Sequence, residues 1–190
     1  MAADGGPVPA ADLLADVEAA LADLAEASGL RFAPVVTTDE RPAADRDVAV
    51  RDADGGWRWA PVLVAWADPH EAGLPLRDVD RGIGAPVAIG PSGARVYVTG
   101  QVVLNRRRTD LVAGRDDRAT SWGATVLHEL AHVVGLDHVD DPAQLMATYP
   151  GQGPVELADG DRAGLAAVGA DGGCLEVPPA RPVQVPAPTP

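Results

Sequence analysis

Three histidines and a glutamate crowd into His128-Glu-Leu-Ala-His132-Val-Val-Gly135-Leu-Asp-His138. Residues four apart on a helix stand one above the other, so His128 and His132 can offer two imidazole nitrogens to one ion. Glu129 lies beside that face, close enough to hold a water at the ion without displacing it. A continued helix would carry His138 away from this pair. Gly135 accepts the left-handed backbone that ends a helix, and three further residues are enough to bring His138 back. Three neutral imidazoles with a fourth position open are the ligand set of a catalytic zinc, whereas a fourth protein ligand would make the site structural. The chemistry to expect is hydrolysis, with the metal polarising a carbonyl and acidifying a water, and Glu129 as general base. The pair of histidines and the glutamate alone also describe a solvated helix face. Gly135 and His138, each at its offset, make the metal reading specific.

The stretch matches the H-E-x-x-H-x-x-G-x-x-H signature of the metzincin zinc peptidases. Within them it most resembles the matrixin branch, through Pro142-Ala-Gln-Leu-Met146 followed by Tyr149-Pro150, and through Leu157-Ala-Asp-Gly-Asp161-Arg-Ala-Gly164-Leu165. The resemblance is specific over about residues 120–168. It implies a metalloendopeptidase with one catalytic Zn(2+), a methionine turn at Met146 beneath the metal, and Asp161 supporting that turn. Tyr149 is a candidate to hydrogen-bond the developing oxyanion or to pack. The implied fold is α+β and zincin-like, with a twisted, mostly parallel sheet, two long helices and a small C-terminal subdomain after Gly135. A peptide or protein substrate would lie extended along an edge strand, for which Gly84 to Ile89 is the candidate. The resemblance also implies a strand before the first helix and a secreted or cell-surface location, although the first residues carry no signal peptide as given. Ala147 and Thr148, between Met146 and Tyr149, and Val139 after the third histidine depart from the matrixin pattern and leave the subfamily open. A zinc-binding interaction module without turnover and a zinc hydrolase of a non-peptide amide are the alternatives.

The remaining candidates read as bland. His70, the fourth and last histidine, falls in a loop and is expected at the surface. Asp137, Asp140 and Asp141 can form a polar turn as readily as a calcium site, so calcium has no support beyond their presence; Asp137 is also placed to touch the metal ligands from behind. Cys174 is the only cysteine, so no intrachain disulfide can form.

A formal net charge of −13 opposes a nucleic-acid partner, which would require a basic surface. The single basic run, Arg106-Arg107-Arg108, is expected as a solvated turn. No apolar run reaches the length of a membrane span.

At 190 residues, 46% of them apolar, the chain suits one domain, placed at 11–170 between a loose segment 1–10 and a Pro-rich tail 171–190. Its cleft is expected between about 11–135 and 136–170. Leu13, Val17, Leu21 and Leu24 predict an amphipathic helix capped by Asp12 and stopped by Gly29. Arg31 to Val36 reads as a strand, followed by a polar connection through Gly56. Pro61 to Trp66 reads as a buried central strand. Val87 to Ile89, a turn at 90–93, and Arg95 to Leu104 read as a hairpin. A largely buried helix should begin at Thr120 or Ser121 and run to Val134, and another should span Leu157 to Val168. From Val177 the prolines predict an extended, mobile tail.

Overall fold

The computed structural model describes residues 1–71, 73–116, 120–148 and 154–182. The first helix, α1 (Ala10–Ser28), begins at Pro9 rather than at Asp12, which falls in the first turn instead of capping it. Proline suits the start of a helix because its missing N–H would have no partner there. Gly29, at φ 69°, ends the helix and donates its N–H to Ala25 O. The buried face carries Leu13, Val17, Ala20 and Leu24, with Asp16 among them. Asp16 accepts the Gly114 N–H at 3.0 Å and ties α1 to the segment that precedes the motif helix. Burial raises its pKa, while the Gly114 bond pulls the other way.

No strand forms over Arg31–Val36, whose residues are mostly exposed. Pro34 leaves a gap in the donors of that stretch. Backbone pairing begins further on, where Met1 N donates to Val36 O at 2.6 Å and Thr38 N donates to Met1 O at 2.9 Å. On its other side the same segment bonds from Ala2 N to Val64 O at 2.8 Å, and Ala2 bridges Ala65 in parallel. Residues 1–3 therefore stand where a strand before the first helix was expected. Met1 and Ala3, at the start of the segment expected to be loose, are buried in the core.

The stretch read as a plain connection contains a hairpin, β1 (Ala49–Arg51) with β2 (Trp57–Trp59). Its turn is held by Asp52, whose carboxylate accepts the N–H groups of Asp54 and Gly56. The Arg51 guanidinium covers the Trp57 ring at 4.1 Å.

The central sheet has the order β3 (Leu63–Ala67), β5 (Val96–Asn105), β4 (Gly82–Ile89). β3 runs parallel to β5, and β4 pairs antiparallel to β5 as a hairpin. The sheet is thus mixed rather than mostly parallel, because a short turn can return the chain only antiparallel. All five residues of β3 are buried. β4 is the edge of this sheet, as expected for Gly84–Ile89, and it begins earlier, at Gly82.

α2 (Trp122–Val134) starts after Ser121 and buries Trp122, Val126, Leu127, Leu130 and Val133. It packs against β4, β5 and α1. Trp122 meets Trp66 of β3 edge to face, with ring centroids 4.6 Å apart. α3 (Asp159–Val168) packs against α1, and a 3-10 turn, Ala170–Gly172, follows it. Beyond it the chain forms no helix or strand and is largely exposed as far as it is described, with an anchor from Trp59 Nε1 to Pro178 O at 3.1 Å. Residues 183–190 of the expected mobile tail lie outside the described residues. No helix is long and apolar enough to cross a membrane among the described residues.

Candidate metal centre

His128, His132 and Glu129 are placed by the middle of α2, which lies directly against β4. That approach depends on Gly84, where a Cβ would collide with the Glu129 main chain and with His132 Cβ. Gly135 ends α2 at φ 125°, donating to Ala131 O and His132 O, and Leu136 N adds a bond to Ala131 O at 3.0 Å. The turn reverses the chain and returns His138 to the helix face.

The three imidazoles converge. His138 Nε2 lies 3.2 Å from His128 Nε2 and 3.2 Å from His132 Nε2. All three ligand atoms fall within 4.8 Å of one another, and this is the single such group of potential metal ligands among the described residues. Each helical imidazole turns its other nitrogen to a backbone carbonyl, His128 Nδ1 to Leu145 O at 2.9 Å and His132 Nδ1 to Leu136 O at 2.8 Å. A carbonyl only accepts, so both Nδ1 atoms carry the proton and both Nε2 lone pairs face the centre. With nitrogen bonds of 2.0–2.1 Å, tetrahedral zinc separates its ligand atoms by about 3.3–3.4 Å. Two of the three spacings are close to that, and the three-imidazole donor set suits a zinc ion.

Electrostatics favour neutral ligands. His128 is held down to a pKa of about 4 by burial, with His132 and His138 adding to it. His132 is lowered as well, again chiefly by burial. Glu129 is pushed up to about 7 by burial, against the pull of the Gly84 N–H that its carboxylate accepts, with Asp80 adding to the rise. A dication beside it would favour its ionised form.

Met146 is fully buried, at the end of the segment that returns beneath the histidines. Val139 and Ala147 form a parallel bridge, with Val139 N donating to Met146 O and Thr148 N to Val139 O. Asp161, also buried, reaches this segment from α3. Its carboxylate accepts Leu145 N at 2.7 Å, Met146 N at 3.2 Å and Ala158 N at 2.9 Å. Gln144 Oε1 in turn accepts Asp161 N. The Asp161 carboxylate thus ties down the backbone of Leu145 and Met146, and the Leu145 carbonyl orients His128.

Tyr149 lies outside the described residues. His70 is exposed and pairs with Asp78 at 3.4 Å, apart from the triad. Asp137 accepts the N–H of His138, and Asp141 accepts Ala143 N and Gln144 Nε2, which makes a polar turn. Arg106, Arg107 and Arg108 engage Glu71, Asp68 and Asp110. Cys174 is exposed.

Sequence reasoning missed Gly84 as the donor to Glu129, the carbonyls of Leu136 and Leu145, and Gln144. Gly82-Ile-Gly84 offered a signal, since two glycines inside a strand mark a close backbone approach. The carbonyls have none, because any residue supplies one.

The centre opens into a cleft of about 990 Å³, lined on one side by Gly82, Gly84 and Pro86 and on the other by Leu136, Leu145 and Thr148. The sequence model of the Matrixin family matches residues 63–168, just over half of the chain and all of this site. The chain belongs to the matrixin family. Its mixed α+β architecture is that of a matrixin catalytic domain, and matrixin membership points to a zinc-dependent peptidase. No curated protein matches the chain.

Proposed function

We propose that this matrixin is a metalloendopeptidase in which His128, His132 and His138 hold one zinc and Glu129 is the general base. The observation that carries the reading is the convergence of three imidazole Nε2 atoms, two of them 3.2 Å from the third, beside a buried carboxylate in an open cleft. Zinc in that site supplies Lewis acidity, polarising the scissile carbonyl and lowering the pKa of water.

The chain's own groups do the rest. Glu129, steadied by the Gly84 N–H, takes the proton from the attacking water and passes it to the departing amine nitrogen as the C–N bond breaks. Leu136 O and Leu145 O keep His132 and His128 in the ligating tautomer. Asp161 fixes the turn that carries Leu145 and Met146, and Gly135 makes the reversal that delivers His138. Tyr149 is proposed as a contact to substrate or to the oxyanion. The substrate is an extended peptide, since the cleft runs along a strand edge that can pair with a main chain. A small non-peptide amide would call for a closed pocket.

Glu129→Gln tests the assignment. The amide keeps the size and hydrogen-bonding reach but cannot take the proton. Cleavage of an unstructured peptide should fall by about 10²–10⁴-fold with zinc content unchanged. Near-normal turnover would remove Glu129 from the mechanism, and loss of zinc would make it a ligand.

A further inference from the structure

β4 is the edge of the central sheet, and its outward side faces the cleft. Which of its backbone groups point outward follows from the register. Gly82 stands opposite Leu104, so Arg81 stands opposite Asn105, and Asn105 N donates to Arg81 O at 2.8 Å. In an antiparallel ladder the bonded pairs alternate. Residues 81, 83, 85 and 87 therefore bond toward β5, and Gly82, Gly84 and Pro86 turn their backbone groups outward. Two other bonds agree with this parity. Gly84 N–H reaches out to Glu129, and Gly100 O, opposite Pro86, turns away from β4 to accept Arg46 Nη1 at 3.3 Å.

The outward row is uneven. Gly82 offers both a donor and an acceptor, and Gly84 offers an acceptor while its donor steadies Glu129. Pro86 has no N–H, and its ring occupies the place where a partner carbonyl would approach. Just beyond it the register slips between Val87 and Ala88. The next carbonyl, Ala88 O, is already taken by Arg95 Nη2 at 2.8 Å. A missing donor, a bulge and an occupied acceptor fall on consecutive positions of the edge.

We propose that Pro86, with the Arg95 side chain behind it, ends the backbone ladder that β4 offers to a substrate, so that past the Pro86 carbonyl the cleft has no main-chain group to pair with an extended peptide. This rests on the peptidase reading and deepens it. The substrates that fit are peptides read over a short main-chain stretch, with one flank beyond the scissile bond contributing no pairing. That flank is the one lying along Pro86 to Ile89.

The test is a nested set of peptides sharing one scissile bond and lengthened residue by residue with alanine on either flank. For the zinc-loaded wild type, kcat/KM should rise with length on one flank and stay within about twofold on the other. In the double variant Pro86→Ala/Arg95→Ala, lengthening the insensitive flank should raise kcat/KM by about three- to tenfold for each hydrogen bond recovered. A shortest peptide that stops short of Pro86 should be cleaved equally by both proteins, which controls for folding. The same peptides titrated onto Glu129→Gln, with and without the double change, give the same comparison in Kd without turnover. A length dependence on both flanks of the wild type, or one unchanged by the double variant, would overturn the inference. So would a double variant that merely self-associates in sedimentation, since Pro86 would then guard the edge against other strands. Binding that follows the predicted pattern without cleavage by the wild type would keep the inference and sink the peptidase reading. Neither binding nor cleavage would sink both.

Discussion

His128 and His132 stand on α2, where helical geometry fixes their spacing and the apolar stripe around Trp122, Val126 and Leu130 fixes the helix. His138 stands on 136–148, a segment with no helix or strand beyond one bridge from Val139 to Ala147. On the first wall the ligands are placed by packing and by the Gly84 approach. On the second, one buried carboxylate, Asp161, takes the backbone N–H groups of Leu145 and Met146 and adds Ala158 from the start of its own helix. Regular structure tolerates the loss of any one contact because many share the work. An irregular segment concentrates its stability in a few charge-assisted bonds, each worth about 1.5–3 kcal/mol.

Asp161→Asn should break the comparison at its weaker wall. The amide keeps one acceptor oxygen and turns an NH2 group toward a backbone donor. We expect a loss of about 3 kcal/mol in urea unfolding, and zinc affinity weakened by about 10–100-fold because Leu145 O no longer orients His128. Helical circular dichroism should persist. An unchanged urea midpoint and zinc affinity would show that 136–148 does not depend on Asp161.

The α2 wall can be sharpened by pH in the metal-free protein. His128 has its folded pKa near 4, below its unfolded value of 6.5, so the unfolded chain binds the extra proton as pH falls. Its contribution is present above pH 6.5 and is lost toward pH 4. Glu129 works in the opposite direction, since its folded pKa near 7 lies above 4.5 and acid relieves the cost of burying its charge. Removing the second effect exposes the first. Chelated Glu129→Gln should lose about 2 kcal/mol more than the chelated parent between pH 7.5 and pH 5, with both read from urea midpoints. Parallel pH profiles would contradict these assignments.

The same contrast explains what could be read from the residues. His128, Glu129, His132 and Gly135 were legible because their spacing is a local property of one helix and its end. Pro61 to Trp66 was legible because a continuous apolar run has few places to go but the centre of a sheet. β1 and β2 were hidden, since Trp57-Arg-Trp59 is largely exposed and no buried face leaves a period of two in the sequence. Arg31 to Val36 misled in the other direction. Its apolar residues suit a strand, yet the only backbone pairing there comes at Val36 and Thr38, from residues at the far end of α1. Asp161 was reached through resemblance, because nothing in its neighbours announces two donors arriving from another segment.

The claim beneath all of this is that the three imidazoles hold a metal and that the metal is zinc. Elemental analysis of protein purified without added metal, repeated after chelation and zinc addition, tests it most directly. The account predicts one zinc per chain in the first preparation, lost on chelation and restored on addition, because three neutral imidazoles and an open position suit that ion. A stoichiometry near zero, with no gain when zinc is supplied, would contradict it.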